Sequence, residues 1–241
     1  MTQENREAAA AVIVESGLAV SNLVDLHGRL RPCFARVQPF EQARKYITGL
    51  ISDLPPKNGW TIAEHAGDST PDRTQRLLNH AVWDHDRVAG VVRWYVAEQL
   101  RGQELRGAAL DESGQEKQGE RTAGVKRQYM GCAGRIANGV NTVYCSYATT
   151  GGHALVGARI YLPEDQLADA GRRDAAGIPE DVTFRTKPQL AQDILTDMIA
   201  DDTMPPWVAG DEVYGRSGPF TEVLAGQRDR VCGPARVRLP G

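Results

Sequence analysis

The sequence has few cysteines, and none of them are paired. The 241 residues include only four, at Cys33, Cys132, Cys145 and Cys232, with no Cys-x-x-Cys motif. Structural zinc needs ligands in close pairs, so this spacing argues against a zinc site and predicts free thiols in a reducing compartment. The five histidines form no His-Glu-x-x-His motif, which removes the commonest helical zinc site as well.

Long hydrophobic runs are also missing. No apolar run approaches the roughly 20 residues that a membrane-spanning helix needs. Residues 8–20 are moderately apolar, but Glu4, Glu7 and Glu15 lie in and around them. A secretory signal has a basic start and an uninterrupted apolar centre. We therefore expect a cytoplasmic protein with no membrane partner.

Acidic residues are absent from one long interval. The net charge is −3, yet no Asp or Glu lies between Glu120 and Glu164. The interval holds a set of basic residues, namely Arg121, Lys126, Arg127, Arg135 and Arg159. A locally basic face would suit a polyanion. The alternative is a solvated loop with a chance excess of arginine.

The first hundred residues have helical patterns. Apolar residues from Phe40 to Ile51 recur at helical spacing, and Pro55-Pro56 ends the run. A short helix is predicted over residues 60–66, ended by Gly67. Thr70-Pro71 is typical of an N-cap followed by a first helical position. Residues 88–100 predict a further amphipathic helix.

The segment Trp60–His80 therefore predicts two helices joined by a glycine turn. Its second helix carries Arg73 and Arg76 on one face. This is helix-turn-helix character, which favours DNA binding through those arginines. A plain packing unit is the alternative, because most helix–turn–helix pairs are only that.

After Gly102 the pattern changes to strands. Leu105–Asp111 is a short apolar strand candidate, and Val140–Ala148 is β-branched and aromatic. A hairpin turn at residues 149–152 leads into a returning strand over 153–162. A helix is predicted over residues 188–200, followed by a strand at Trp207–Gly210. This order predicts an α/β sheet of mixed direction.

Two acidic strings lie about a hundred residues apart. Asp111-Glu112 and Asp211-Glu212 each follow a short apolar run and precede a glycine-containing turn. A carboxylate at the point where a buried strand emerges is a suitable oxygen ligand for a hard divalent cation. Two such strands side by side would present both aspartates to shared metal ions.

A series of short strings follows one order along the chain, from about residue 30 to about residue 224. They include Leu110–Gly114, Gly124–Tyr129, Ala133–Ile136, Gly152–Leu155, Tyr161–Pro163, Ala176–Pro179, Thr186–Pro188 and Gly210–Gly215. Together these strings resemble the DDE-class insertion-sequence transposases of bacteria. Upstream, Lys57–Trp60 and Gln75–Leu78 are also similar to that family. The resemblance implies a ribonuclease H-like catalytic domain.

The resemblance also implies roles for residues. Asp111, on the opening strand, and Asp211, just after the fourth strand, correspond to the first two metal-binding carboxylates of the family. Mg²⁺ or Mn²⁺ in a two-metal site is the implied cofactor. Because neighbouring strand residues point to opposite faces, we expect the aspartates to reach the metals, with Glu112 and Glu212 facing a turn or the flank. Lys126, Arg127 and Arg135, in the insertion after the first strand, are expected to contact DNA phosphates.

The fold expected from all this is a helical region followed by an incomplete ribonuclease H-like mixed sheet with flanking helices. We expect residues 1–30 to be weakly ordered, 31–104 to be a helical DNA-binding region, 105–224 to be the catalytic domain and 225–241 to be a divergent tail. The family's third metal ligand, a glutamate near the C-terminus, has no counterpart, and Glu222 and Asp229 lie on the wrong element to replace it. A truncated copy with impaired activity is the simplest expectation.

The expected function is cleavage and transfer of double-stranded DNA, at element ends and target, by a nucleoid-associated transposase. Whether the chain is an active enzyme, and whether it forms a homo-oligomer, is left open. One alternative is a non-catalytic module that binds DNA or full-length transposase and regulates transposition. Another is a product that never folds stably.

Overall fold

The chain divides into two compact units in a computed structural model that describes residues 18–215 and 237–238. The first unit comprises residues 1–91 and the second residues 92–241, so the division falls inside one helix. The predicted divergent tail lies outside the described residues except for Val237 and Arg238. In the described part, no helix has both the length and the apolar character needed to cross a bilayer.

Helices make up most of the described part of the first unit, residues 18–91, as the sequence predicted. Residues 18–30 form α1, and the helices that follow are α2 (Val37–Ile51), α3 (Gly59–His65), α4 (Asp72–Asn79) and α5 (His85–Gln99), the last of which continues into the second unit. Their apolar faces meet in a core that includes Leu30, Phe34, Phe40 and Leu77.

The turn between α3 and α4 follows the sequence signals with one correction. Gly67 has φ +74°, a left-handed conformation that glycine adopts at little cost. The prediction of Thr70 as the N-cap of α4 is wrong by one residue. Pro71 is the cap, because its carbonyl already accepts the first helical bond from Gln75 at 2.9 Å. The hydroxyl of Thr70 donates to Asp72 instead.

A six-stranded mixed sheet forms the second unit. Its strands are β1 (Arg106–Glu116), β2 (Lys126–Met130), β3 (Arg135–Thr149), β4 (Gly152–Ile160), β5 (Trp207–Gly210) and β6 (Val237–Arg238). The order β2-β3-β1-β5-β6 has β4 beside β3. The pairs β1–β3, β2–β3 and β3–β4 are antiparallel, and β5 is parallel to β1 and β6.

Four helices accompany these strands. They are α6 (Glu164–Ala168), α7 (Ala170–Ala175), α8 (Lys187–Ala200) and α9 (Glu212–Gly215). The helix α8 begins at a capping box in which Thr186 and Gln189 each accept from the other's backbone N–H. Its Ile194, Leu195 and Met198 are fully buried against β3, β4 and β1. The mixed sheet with flanking helices confirms the predicted fold class.

Two parts of the strand prediction are wrong. The strand β2 was not predicted, so Lys126 and Arg127 lie on a strand rather than in an insertion, and Arg135 opens β3. The expected turn after Glu112 is also absent, because β1 continues to Glu116 in register with β3. Gly114 serves packing there, since a Cβ would lie 2.5 Å from Cε of Met130.

Candidate active site

The two predicted aspartates directly follow a pair of residues on neighbouring strands. The parallel register of β1 and β5 pairs Leu110 with Gly210, so Asp111 continues β1 and Asp211 is the first residue after β5. Neighbouring strands lie about 4.8 Å apart. Asp211 follows the fifth strand of the chain rather than the fourth, because β2 adds one to the expected count.

The acidic pair on β1 is divided between the two faces of the sheet. Ala108 and Leu110 are buried with α8, and Asp111 is exposed. By strand alternation Asp111 points away from α8 and Glu112 toward it. The Nζ of Lys187, the first residue of α8, lies 2.6 Å from Oε2 of Glu112. Glu112 was expected to face a turn or the flank. No turn lies there, because β1 continues, and an ion pair with α8 holds the side chain on the face away from Asp111.

Backbone N–H groups hold one oxygen of each aspartate. Oδ1 of Asp111 accepts from the N–H of Glu112 at 2.8 Å, and Oδ1 of Asp211 accepts from the N–H of Val213 at 3.0 Å. These bonds limit the rotation of each carboxylate. The Oδ2 atoms accept no hydrogen bond from any described residue, so each aspartate has an oxygen available for a cation.

A buried tyrosine lies within electrostatic range of three carboxylates. Tyr214 of α9 is 1% exposed and belongs to the core beneath the sheet. Burial raises the pKa of its phenol, and the negative charges of Glu112, Asp211 and Asp111 raise that pKa further. Three carboxylates therefore act on one side chain, which identifies this end of β1 and β5 as a centre of negative charge.

The donor set suits a hard divalent ion. Mg²⁺ is commonly held by one or two carboxylates, with waters and substrate phosphates completing the octahedron, and Asp111 and Asp211 supply two carboxylates. Among the described residues, no group of three or more His, Cys, Asp and Glu side chains is arranged to hold a metal. The side chain of Glu212 and the residues Glu222 and Asp229 lie outside what the structure describes.

The predicted basic residues of the second unit differ in availability. Lys126 lies 2.7 Å from Asp165, and its hydrogen bond, with that of Arg172, lowers the pKa of Asp165 to about 2. Arg135 contacts both carboxylate oxygens of Glu116 at 2.9 and 3.0 Å. Arg127 is exposed, and its side chain has no bond to another described residue.

The arginines of α4 are both exposed on the first unit. Arg73 lies 3.4 Å from Asp68 and is 74% exposed. Arg76 is exposed, and no described residue pairs with its guanidinium. Of the predicted DNA contacts, Arg76 and Arg127 can therefore bind a phosphate without first breaking an ion pair with a described residue.

Sequence reasoning missed the role of Lys187 beside the acidic pair. The only signal for it was the string Thr186-Lys187-Pro188, one of the strings that carried the family resemblance. No periodicity could have paired Lys187 with Glu112, which lies 75 residues earlier in the chain, because the contact depends on where α8 begins relative to β1.

The chain is therefore an α/β protein with a mixed sheet and an acidic site where β1 and β5 lie side by side. The family model for the DDE superfamily endonuclease matches residues 29–236. The chain belongs to this family.

A similar curated protein is "Probable transposase for insertion sequence element IS701" of Microchaete diplosiphon. It is 28% identical over 192 residues, which cover 79% of this chain and 47% of the relative. The chain thus spans about half the length of that relative. A solved structure, "Mos1 transposase paired-end complex with left transposon end", matches 78% of this chain and 56% of its own with 10% identity and a TM-score of 0.25. That likeness is too distant to bear on the fold.

Proposed function

We propose that the chain is a transposase of the insertion-sequence type whose Asp111 and Asp211 together hold a divalent cation for DNA strand cleavage and transfer. The observation that carries this proposal is the parallel register of β1 and β5, in which Leu110 pairs with Gly210, the residues that directly precede Asp111 and Asp211. Membership of the DDE superfamily endonuclease family supports the same reaction class.

The side chains of the chain have separable tasks in this proposal. Asp111 and Asp211 bind through the oxygens that their backbone bonds leave open. A Mg²⁺ or Mn²⁺ ion held there would supply the metal chemistry of phosphodiester cleavage, in which the attacking water is activated or the leaving 3′ oxygen stabilised. The pairing of Leu110 with Gly210 holds side by side the backbone segments that precede the two carboxylates.

Basic side chains would hold the DNA backbone. Arg127 and Arg76 are exposed and make no ion pair with described residues, so they can contact phosphates at no cost in internal pairs. Lys126, Arg135 and Arg73 would have to share their charge with Asp165, Glu116 and Asp68. Phosphate contacts of this kind position a duplex without reading its sequence.

The test is nicking of DNA that carries the ends of the element. We expect the purified chain to nick it with Mg²⁺ or Mn²⁺ and not with EDTA. Asp111→Ala and Asp211→Ala should abolish nicking, while Asp174→Ala, at an exposed carboxylate of α7, should retain it. Absence of nicking by the unaltered chain with either ion would contradict the proposal, as would full activity of Asp111→Ala.

A non-catalytic DNA-binding module is the second candidate. The guanidinium groups of Arg76 and Arg127, which are exposed and pair with no described residue, favour it because they need no metal in order to bind phosphate. It predicts DNA binding in EDTA that weakens steeply with salt and does not change with Asp111→Ala. No DNA binding at low salt would exclude this candidate.

A further inference from the structure

A small cavity lies beside the ion pair of Lys187 and Glu112, and neither proposed function uses it. Its volume is about 310 Å³, at the lower end of the range of about 300–1,000 Å³ for small-molecule sites. That volume admits one nucleotide-sized group and no duplex. Its lining comes from β2, the end of β4, the start of α8 and α9, and includes Gln128, Tyr161, Phe184, Lys187 and Val213.

Two aromatic rings form a corner in this cavity. The centroids of Tyr161 and Phe184 are 6.2 Å apart with an interplanar angle of 74°. Phe184 is 36% exposed, so part of its ring is accessible to a ligand. Any of the four nucleobases can stack on an accessible aromatic ring, because every base has a π-face.

The ammonium group of Lys187 lies next to the two aromatic rings. Nζ of Lys187 lies 5.8 Å from the ring centroid of Tyr161 and 2.6 Å from Oε2 of Glu112. An ammonium group has three N–H donors, so one carboxylate contact leaves donors for a phosphate oxygen. A phosphate there would lie on the α8 face of the sheet, beside Glu112, and Val213 of the lining is two residues from Asp211.

An amide on the opposite wall is held in a fixed orientation. Nε2 of Gln128 donates to the carbonyl of Gly139 at 3.0 Å, and its Oε1 accepts from Asn141 at 3.1 Å. A carboxamide has two N–H donors and two acceptor lone pairs. One donor and one lone pair of Gln128 are therefore left for the edge of a base.

We propose that this aromatic corner is a subsite for one unpaired nucleotide of the bound DNA. The base stacks on Phe184 and its phosphate contacts Lys187. The inference rests on the proposed function, because the nucleotide belongs to the DNA that is bound for cleavage at Asp111 and Asp211. A base in a duplex is already stacked on its neighbours, so the subsite favours DNA with a single-stranded end.

The experiment compares a blunt DNA duplex with the same duplex carrying a short single-stranded overhang. Binding is measured by fluorescence anisotropy in EDTA, so that no cleavage takes part. The unaltered chain should bind the overhang duplex at least about fivefold more tightly, the equivalent of about 1 kcal/mol for one stacked base. Phe184→Leu should remove this preference, and the matched variant Tyr129→Leu, at an exposed ring of β2, should keep it.

The charge of Lys187 is tested through salt dependence. Lys187→Gln should lower the slope of log affinity against log salt by about one phosphate contact, and Lys187→Arg should restore it. Circular dichroism checks that each variant is folded. Equal binding of the two duplexes by the unaltered chain, or an unchanged preference in Phe184→Leu, would overturn the subsite. The nicking assay reports separately on the metal site, so either proposal can fail alone.

Discussion

Asp68, in the turn between α3 and α4, accepts hydrogen bonds from two side chains of α2. Its carboxylate, 6% exposed, accepts from Lys45 at 2.7 Å and from Gln42 at 3.1 Å, both of which belong to α2. The hydrogen bond from Lys45 is the main cause that lowers the pKa of Asp68. The same Gln42 also donates to the buried Thr74 of α4. One carboxylate thus organises the contacts on which the helix–turn–helix arrangement depends.

We expect Asp68→Asn to reduce the free energy of unfolding at pH 7 by about 1–3 kcal/mol, because a charged acceptor for Lys45 is lost. The lowered pKa means that the stabilisation by Asp68 is complete at neutral pH. It is lost as the pH falls below about 4, the ordinary value for an aspartate. Urea denaturation at pH 7 and pH 3 measures both effects.

The exposed Asp53 provides the control for this variant. Asp53→Asn should leave the stability and its pH dependence close to those of the unaltered chain. If Asp68→Asn lost as much stability between pH 7 and pH 3 as the unaltered chain does, the assigned role of Asp68 would be wrong.

At the scale of elements, glycines set the close approach of β1, β2 and β3. Gly139 pairs with Glu116 of β1 and with Lys126 of β2. A Cβ at Gly139 would collide with the backbone carbonyl of Gln115 and lie 2.6 Å from Cε of Met130. The first obstacle is backbone, which cannot rotate out of the way as a side chain can.

Gly139→Ala should therefore destabilise the sheet by about 1–3 kcal/mol, the usual cost of overpacking. Chemical denaturation followed by circular dichroism measures this cost. Gly131→Ala is the matched control, because nothing lies within 4 Å of a Cβ at that position. Equal stability of the two variants would show that the strands separate at no cost and that the described register is not maintained.

Elements with one uninterrupted pattern could be predicted from the sequence. The apolar spacing in α2 and α8 is helical throughout, and the β-branched run in β3 is long enough to leave no alternative. The strand β2 has only five residues and begins with Lys126 and Arg127. Its strand conformation comes from pairing with β3, which no local pattern reveals.

The candidate site was predictable only in part. The resemblance indicated that Asp111 and Asp211 belong to one site. The order of the elements was not sufficient, because α8 connects β5 to β4, whereas β5 pairs with β1. The continuation of β1 past Glu112 was not predictable, since Ser113-Gly114 is typical of a turn. Neither was the ion pair with Lys187, which depends on the tertiary position of α8.

At the scale of the whole molecule, each unit has its own hydrophobic core. Phe34, Phe40 and Leu77 belong to the core of the first unit, and Ile194 and Leu195 are fully buried in that of the second. A Cβ at Gly157 would overlap Cγ2 of Ile194, so the side chain of Ile194 packs tightly against the backbone of β4. Because the cores are separate, we expect a destabilising substitution in one core to leave the hydrogen-exchange protection of the other unit unchanged.

Ile194→Ala should lower the stability of the second unit by about 2–5 kcal/mol through the cavity that it leaves. Hydrogen exchange followed by mass spectrometry reads each unit separately. We expect faster exchange in β3, β4 and α8, with unchanged protection in α2 and α4. Equal acceleration in both units would mean that they unfold together.

The central claim is that Asp111 and Asp211 hold one cation between them. Binding of Mn²⁺, followed by electron paramagnetic resonance, tests it without DNA or catalysis. Asp111→Asn and Asp211→Asn should each weaken binding at least about 10-fold, a loss that even outer-shell changes produce. Because the ligands are shared, the effects should not add in the double variant. Asp174→Asn should bind as the unaltered chain does, and Mn²⁺ affinity unchanged by Asp111→Asn would contradict the account.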